Sequence, residues 1–159
     1  MAIAFAFVMK AVAVQAFFIP SESMVPTLKV HDRLLVDKVT YHFRDVHRGD
    51  IVVFSRPPGE ENKDIKDLIK RVIALPGDTI EAHNGVVYLN GKILSEPYLP
   101  PSTYTDNLPK TVIPEGKIFV MGDNREWSED SRVFGAIEED SVVGRAVVRF
   151  WPVTGIGPV

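Results

Sequence analysis

Seven short segments rich in β-branched and aromatic residues, each bounded by turn signals, constrain this chain to a mainly β fold. Two dipeptides typical of hairpin turns, Asn84-Gly85 and Asn90-Gly91, each follow such a segment. We therefore expect a folded-over sheet or partial barrel, with helix only near the N-terminus and a helical turn over 128–134. The predicted strands are 33–36, 51–54, 68–75, 79–82, 86–89, 118–121 and 146–151, and the predicted exposed loops are 56–63 and 97–109.

Residues 1–19 are almost entirely apolar and differ in this from the rest of the chain. A membrane-spanning helix needs about 20 apolar residues, and Lys10 places a charge in the middle of this segment. Three interpretations are open: the outer end of a membrane helix, an interfacial segment lying on the bilayer, and a cleavable signal ending near Ala16. A signal begins with positive charge and has an uncharged centre, so we favour the first. The expected units are a membrane-associated segment at 1–19 and a β domain at 20–159.

The composition argues against several classes of function. A net charge of −3, without a basic stripe or an arginine-rich helix, argues against nucleic-acid binding. The chain has no cysteine, which excludes disulfides, a thiol nucleophile and zinc–thiolate sites. We expect neither a metal nor another cofactor, because no metal-ligand spacing is found among His31, His42, His47 and His83.

The chain also has a serine and a lysine in surroundings that suit proton transfer. Ser23 lies in a Ser-Glu-Ser-Met motif, and Lys70 lies within the apolar segment 68–75. A hydroxyl is a poor nucleophile unless a base accepts its proton. A buried lysine can be that base if its pKa falls from about 10.4 toward the working pH. Local sequence leaves a structural interpretation open for each residue: Ser23 as a helix N-cap, and Lys70 as an exposed strand residue.

Seven motifs follow one another along the chain: IPSESMVPTL, DRLLVDKVTY, RGDIVVF, LIKRVIALPGD, NGVVYLNG, GDNREWSEDSRVFG and VVGRAVVRFWP. In this order the motifs resemble those of type I signal peptidases, the membrane-bound serine endopeptidases that remove signal peptides from exported proteins. They extend over nearly the whole chain. The stretch between Leu99 and Thr111 is too short for the large extra β-domain of some bacterial members, so the small bacterial or thylakoid forms are most similar.

The resemblance implies a Ser/Lys dyad, with Ser23 as the nucleophile and Lys70 as the base. Ser21 matches the residue whose hydroxyl helps the Ser23 backbone N–H form the oxyanion hole, and Ser128 matches the serine that orients the lysine. The substrates implied are preprotein signal peptides cut after small-x-small sites. The enzyme would act on the extracytoplasmic side of the cell membrane, with membrane lipid as a second partner. Shallow apolar pockets would be lined by Phe17, Met24, Leu28, Leu68 and Ile69.

The charged residues of the GDNREWSEDSR motif have two interpretations. Asp123 and Asp130 could form a carboxylate dyad or a metal site. Ion pairs that support the loop beside Lys70 fit better, because arginine binds carboxylates through two hydrogen bonds. The expected partners are Arg71, Arg125 and Arg132.

Two residues depart from the family pattern. Glu22 stands where glycine is common, and its carboxylate would disfavour an oxyanion unless it points to solvent. Trp127 stands where a polar residue is usual, either as a core residue or as an exposed aromatic that touches lipid or substrate. An exposed apolar patch near the membrane is expected from Phe17, Phe18, Ile19 and Trp127.

Two other functions stay open at this level. One is a self-cleaving repressor of the SOS type, for which this sequence shows neither the DNA-binding helical domain nor the internal Ala-Gly cleavage site. The other is a catalytically silent, membrane-anchored binding module. The intact Ser23 and Lys70 argue against the second, and cleavage of a preprotein distinguishes it from an enzyme.

Overall fold

The computed structural model describes residues 13–58 and 65–159, and these residues form two antiparallel sheets. The described helical elements are one short helix, α1 (Ser131–Phe134), and 3-10 turns at Thr40–His42, Glu139–Ser141 and Val153–Gly155. The strands are β1 (Val14–Phe18), β2 (Arg33–Asp37), β3 (Ile51–Ser55), β4 (Asp67–Ala74), β5 (Thr79–His83), β6 (Val86–Leu89), β7 (Lys92–Ile93), β8 (Leu108–Val112), β9 (Lys117–Met121), β10 (Ile137–Glu138), β11 (Val142–Trp151) and β12 (Gly157–Pro158).

The larger sheet has the strand order β1-β2-β11-β3-β4-β9-β10, with β12 paired to β11, and it curls as a half-barrel. Its central strands are apolar on both faces, because successive side chains point to opposite sides of a sheet. On β3, Ile51 and Val53 belong to one core cluster, while Val52 and Phe54 belong to another. The last six residues of β4 are all buried, so Lys70 and Arg71 are held in the interior by the strand that carries them.

The smaller sheet has the strand order β7-β6-β5-β8. Its buried side chains form a core cluster together with residues of β4 and β9 from the larger sheet. The hairpin between β5 and β6 turns at Asn84 and Gly85, whose φ angles are 54° and 83°. Positive φ at both central residues is what a two-residue hairpin turn requires, and Asn-Gly supplies it at low cost. The hairpin predicted from this dipeptide is therefore confirmed.

The prediction of a mainly β fold is confirmed, and each predicted strand overlaps an observed one. The helical turn predicted over 128–134 contains α1. One boundary is wrong: β8 begins at Leu108, inside the predicted loop 97–109. The strand was not predicted because Pro109 argues against a strand in general. Proline is found mainly in edge strands, and β8 lies at the edge of its sheet.

The N-terminal helix prediction is corrected for residues 14–18. These residues form β1, and all five pair with β2. They are a strand because their backbone pairs with β2. Their apolar character alone is compatible with a helix or a strand. Residues 1–12 of the predicted membrane-associated segment lie outside the described residues, so that segment stays a prediction. Within the described ranges, no helix is long and apolar enough to cross a membrane.

Candidate active site

Ser23 lies in a loop between β1 and β2 that is closed at its base. The Ile19 N–H donates to the Asp32 carbonyl at 3.0 Å, and the His31 N–H donates back to the Ile19 carbonyl at 2.9 Å. Met24 and Leu28 of this loop have no exposed surface and belong to the core of the larger sheet. These buried side chains anchor the loop, so the position of Ser23 is fixed by packing on its C-terminal side.

The Lys70 amine lies beside the Ser23 hydroxyl. Its Nζ donates to Ser23 Oγ at 2.8 Å and to the Ile69 carbonyl at 3.0 Å. Both residues are buried, with 7% of Ser23 and 3% of Lys70 exposed. The structure thus brings together two residues that are 47 positions apart in the chain.

Burial lowers the pKa of Lys70 from 10.5 to about 8, because a charged amine is poorly solvated in the interior. The nearby charges oppose one another: Asp130 and Glu129 raise this pKa, while Arg56 and Arg132 lower it. With this pKa about a tenth of Lys70 is neutral at pH 7 and about half at pH 8, and the neutral amine can accept a proton from Ser23.

The other two predicted serines lie on different sides of this pair. Ser21 Oγ is 3.3 Å from Ser23 Oγ, and Ser21 is exposed. Ser128 Oγ is buried and has no hydrogen-bond partner within the described part of the chain. It lies against Gly122, where an added Cβ atom would be 2.1 Å from Ser128 Oγ and 2.4 Å from the Ser23 carbonyl oxygen. The predicted hydrogen bond between Ser128 and Lys70 is absent among these residues.

Asp123 and Asp130 pair with Arg71 and Arg132, whereas Arg125, the third expected partner, pairs with Glu96. Asp123 accepts two hydrogen bonds from Arg71, at 2.9 and 2.6 Å, and one from Thr27 Oγ1 at 2.6 Å. Asp130 accepts two from Arg132, both at 2.9 Å, and caps α1 through the Arg132 N–H. Burial raises the pKa of Asp130, but the hydrogen bonds and charge of Arg132, together with the hydrogen bond from the Gly122 N–H, hold this pKa below its usual range.

Sequence reasoning missed the residue that joins the two halves of the site. The Asn124 N–H donates to the Ser23 carbonyl at 3.1 Å, and Asn124 Nδ2 donates to the Glu22 carbonyl at 3.1 Å. Asn124 belongs to the GDNREWSEDSR motif at 122–132, called the GDN motif below, but the motif did not indicate which groups Asn124 would bind. These two hydrogen bonds connect the end of β9 directly to the loop that carries Ser23.

A second missed contact joins the same motif to the segment between β7 and β8. Arg125 is 3% exposed and forms an ion pair with Glu96. Its Nη1 also donates to Thr105 Oγ1 at 2.9 Å. Nothing in the sequence around Glu96 marked it as a partner for a residue 29 positions later.

A cleft of about 220 Å³ opens beside Ser23 and Lys70. Of the five residues predicted to line substrate pockets, Leu68 and Ile69 line this cleft. Phe17 is half-buried and packs on the core cluster that contains Met24 and Leu28. Met24 and Leu28 have no exposed surface and lie within that core, and their role in a substrate pocket stays a prediction. The remaining lining residues are Pro20, Ser21, Arg56, Ile65, Asp67, Trp127 and Glu129.

The two departures from the family pattern both face outward. Glu22 is exposed, and Trp127 is 76% exposed and lines the cleft. Trp127 is therefore the exposed aromatic of the two alternatives. Phe18 is also exposed, whereas Ile19 is buried, so the expected exposed patch does not include Ile19.

Across residues 13–58 and 65–159, no group of three or more histidine, aspartate or glutamate side chains could hold a metal ion.

Comparisons with known proteins agree on one family. A family model described as signal peptidase, peptidase S26, matches residues 1–151. Probable signal peptidase I-1 from Synechocystis sp. is 49% identical over 145 residues, which cover 88% of this chain and 72% of that protein. Signal peptidase IB from Staphylococcus aureus strain COL is 42% identical over 156 residues, covering 87% and 78%.

A solved structure is also similar. The crystal structure of a signal peptidase I from Enterococcus faecalis V583 matches with a TM-score of 0.55 and 35% sequence identity. The match covers 64% of this chain and 97% of the crystallised one. Similarity in sequence and in fold therefore points to the same family.

Proposed function

This chain belongs to the signal peptidase family, peptidase S26, and we propose that it cleaves signal peptides from exported preproteins with a Ser23/Lys70 dyad. The observation that carries the proposal is the 2.8 Å hydrogen bond between Lys70 Nζ and Ser23 Oγ in a buried setting. A lowered lysine pKa and a hydroxyl within hydrogen-bond reach are the two requirements for such a base.

In the proposed mechanism, the neutral Lys70 amine takes the proton of Ser23 as its Oγ attacks the scissile carbonyl carbon. The resulting oxyanion would be stabilised by the Ser23 backbone N–H and the Ser21 hydroxyl. Such donors typically contribute about 3–4 kcal/mol each. The Lys70 ammonium then gives its proton to the leaving amine, and a water molecule activated by Lys70 hydrolyses the acyl-enzyme. Ser128 would orient the amine, which requires its side chain to turn toward Lys70 from its position beside Gly122.

Leu68 and Ile69 would form the shallow walls that accept small residues before the cut. A pocket of this kind selects mainly by excluding larger side chains, since one methylene of difference is worth only about 1–3 kcal/mol. Small-x-small sites would be accepted on this basis. A silent binding module is disfavoured because it has no need for a lysine whose amine is buried against a serine hydroxyl.

Cleavage of a preprotein by the full chain tests the proposal. Ser23→Ala and Lys70→Ala are expected to abolish cleavage while leaving circular dichroism and the melting temperature close to those of the unchanged protein or above them. Ser55→Ala and Lys110→Ala are matched controls, because both residues are exposed, and they should cleave normally. Clear cleavage by the Ser23→Ala protein would refute the dyad.

We also propose that the enzyme works at the extracytoplasmic surface of the cell membrane. Phe18 and Trp127 support this, since both are exposed aromatic residues and Trp127 lines the cleft. Removal of residues 1–12 leaves every β1–β2 pair in place. The shortened protein should bind lipid vesicles less and lose more activity on membrane-bound preprotein than on a soluble peptide. Equal lipid binding and equal activity of the two forms on both substrates would argue against membrane action.

A further inference from the structure

A second cavity, of about 240 Å³, lies beside the loop that carries Ser23. Ser23 itself lines the cleft described above, and Val25 and Pro26 line this second cavity. The remaining walls come from the segment before β8 and from the GDN motif. They are Pro100, Ser102, Thr103, Tyr104, Asp123, Asn124, Arg125 and Glu126.

The second cavity lies next to the loop that carries the nucleophile. Asn124 is part of its wall, and the Asn124 N–H donates to the Ser23 carbonyl at 3.1 Å. The short run from Ser21 to Pro26 thus has the Lys70 cleft at one end and this cavity at the other. An extended peptide advances about 3.3 Å per residue, so a peptide lying over Ser23 reaches both within a few residues.

We propose that this cavity is the subsite for the substrate residues that follow the scissile bond, the first residues of the mature protein. The inference rests on the proposed function, which assigns the residues before the cut to the cleft lined by Leu68 and Ile69. A peptide held there must leave Ser23 on the other side, and the second cavity is the concave surface adjoining that side. Its volume suits a short peptide segment rather than a larger ligand.

The cavity is already formed without a ligand, because its three walls are tied to one another. Asn124 holds the Ser23 loop through two hydrogen bonds. Arg125 holds the segment before β8 through Thr105 and Glu96. Binding would therefore cost little ordering of the protein, which favours recognition of flexible peptides.

The charge of the cavity indicates which substrate residues it prefers. Asp123 is neutralised by Arg71, and Arg125 is neutralised by Glu96. Glu126 is exposed and has no ion pair within the described ranges, so its carboxylate sets the charge of the cavity. We expect a preference for cationic over acidic residues after the cut.

Tyr104 supplies an aromatic wall in a fixed position. It is half-exposed, and its ring lies over Gly85, where an added Cβ would be 2.6 Å from a ring carbon. The next residue, Thr105, pairs with Gly85 through a backbone hydrogen bond. The smaller sheet therefore positions a surface on which an extended peptide can lie.

The test uses soluble peptides that are identical up to the cleavage site and carry either lysine or glutamate at the second position after it. The unchanged enzyme should cut the lysine peptide with a kcat/KM about two to five times higher, as expected for a solvent-exposed charge pair. Glu126→Gln should bring this ratio close to one, and Glu126→Lys should invert it. Glu115→Gln, which removes an exposed carboxylate elsewhere, should leave the ratio unchanged.

A second arm tests the aromatic wall. Tyr104→Ala should lower kcat/KM for a peptide that extends four residues beyond the cut and have little effect on one that ends after the first. If Glu126→Gln changes the ratio no more than Glu115→Gln, or if Tyr104→Ala affects both lengths equally, the subsite assignment is wrong. If the unchanged enzyme cuts no peptide or preprotein, the proposed function itself fails, and the subsite fails with it.

Discussion

Arg71 binds Asp123 through two hydrogen bonds, of 2.9 and 2.6 Å, from the position directly after Lys70 in β4. Both charged residues are buried. The strand that carries the proposed base therefore also binds the start of the GDN motif through Arg71. A shift of that motif would disturb Arg71, the neighbour of Lys70 in the chain.

Breaking this pair should destabilise the fold strongly. Removal of one member of a buried ion pair leaves an uncompensated charge and typically costs about 3–5 kcal/mol. We expect Asp123→Asn and Arg71→Met each to lower the free energy of unfolding by this amount in urea titrations and to reduce cleavage. Lys117→Gln breaks the exposed pair with Glu138 and should cost less than about 1 kcal/mol. Similar losses for the buried and exposed pairs would contradict the structural role of Arg71.

The pH dependence of activity should report the proposed base. Because the neutral amine accepts the proton, kcat/KM should rise with pH through about 8, the lowered pKa of Lys70. Initial rates on a soluble peptide, measured from mildly acidic to alkaline pH, give this profile. Lys70→Arg should be inactive throughout, because a guanidinium is not deprotonated in this range. A profile that is flat across this range would count against a lysine base.

Lys70 should also make the protein less stable at neutral pH than an apolar residue would. Its pKa in the folded state, about 8, lies below the unfolded value of 10.5, which corresponds to roughly 3 kcal/mol. Below pH 8 both states carry the charge, and the folded state bears the whole desolvation cost. Between these two pKa values the unfolded chain still binds a proton that the folded chain has released, so stability rises with pH.

We therefore expect Lys70→Met to be inactive yet more stable than the unchanged protein at pH 7. Its advantage should shrink as the pH approaches 10.5, as followed by urea unfolding at several pH values. Lys110→Met changes an exposed lysine and should show no such trend. An advantage that stays constant with pH would show that the burial of charge is not its origin.

Gly122 should tolerate no side chain. A Cβ there would lie 2.1 Å from Ser128 Oγ and 2.4 Å from the Ser23 carbonyl oxygen, so one of these must move. Misplacement by about 1 Å can cost a factor of about 100 in rate, and we expect a loss of this order in kcat for Gly122→Ala. Gly157→Ala meets no atom within 4 Å and should have little effect on the same peptide assay. Normal kcat in the Gly122→Ala protein would mean that the close approach has no role in catalysis.

Much of the strand pattern could be predicted because alternation and turn chemistry are local signals. The burial of Lys70 was also predictable, since the apolar residues around it in β4 had to be covered. The strand at 14–18 was not predictable, because a short apolar run fits helix and strand alike until a pairing partner is known. Met24 and Leu28 show a similar limit: an apolar residue near a nucleophile suits a pocket or a core equally well. The Arg125–Glu96 ion pair could not be predicted either, because the two residues meet only in the folded chain and no local sequence pattern indicates the pairing.

The hydrogen bonds from Asn124 to the Ser23 loop have a consequence for how the protein is made. They join residues 102 and 101 positions apart, so a chain still being synthesised carries Ser23 and Lys70 well before the residue that holds the Ser23 loop is available. Contacts between distant positions form late because a long stretch of chain must first be ordered. A partly made chain would therefore lack the two hydrogen bonds that hold the Ser23 loop until β9 and Asn124 had been added.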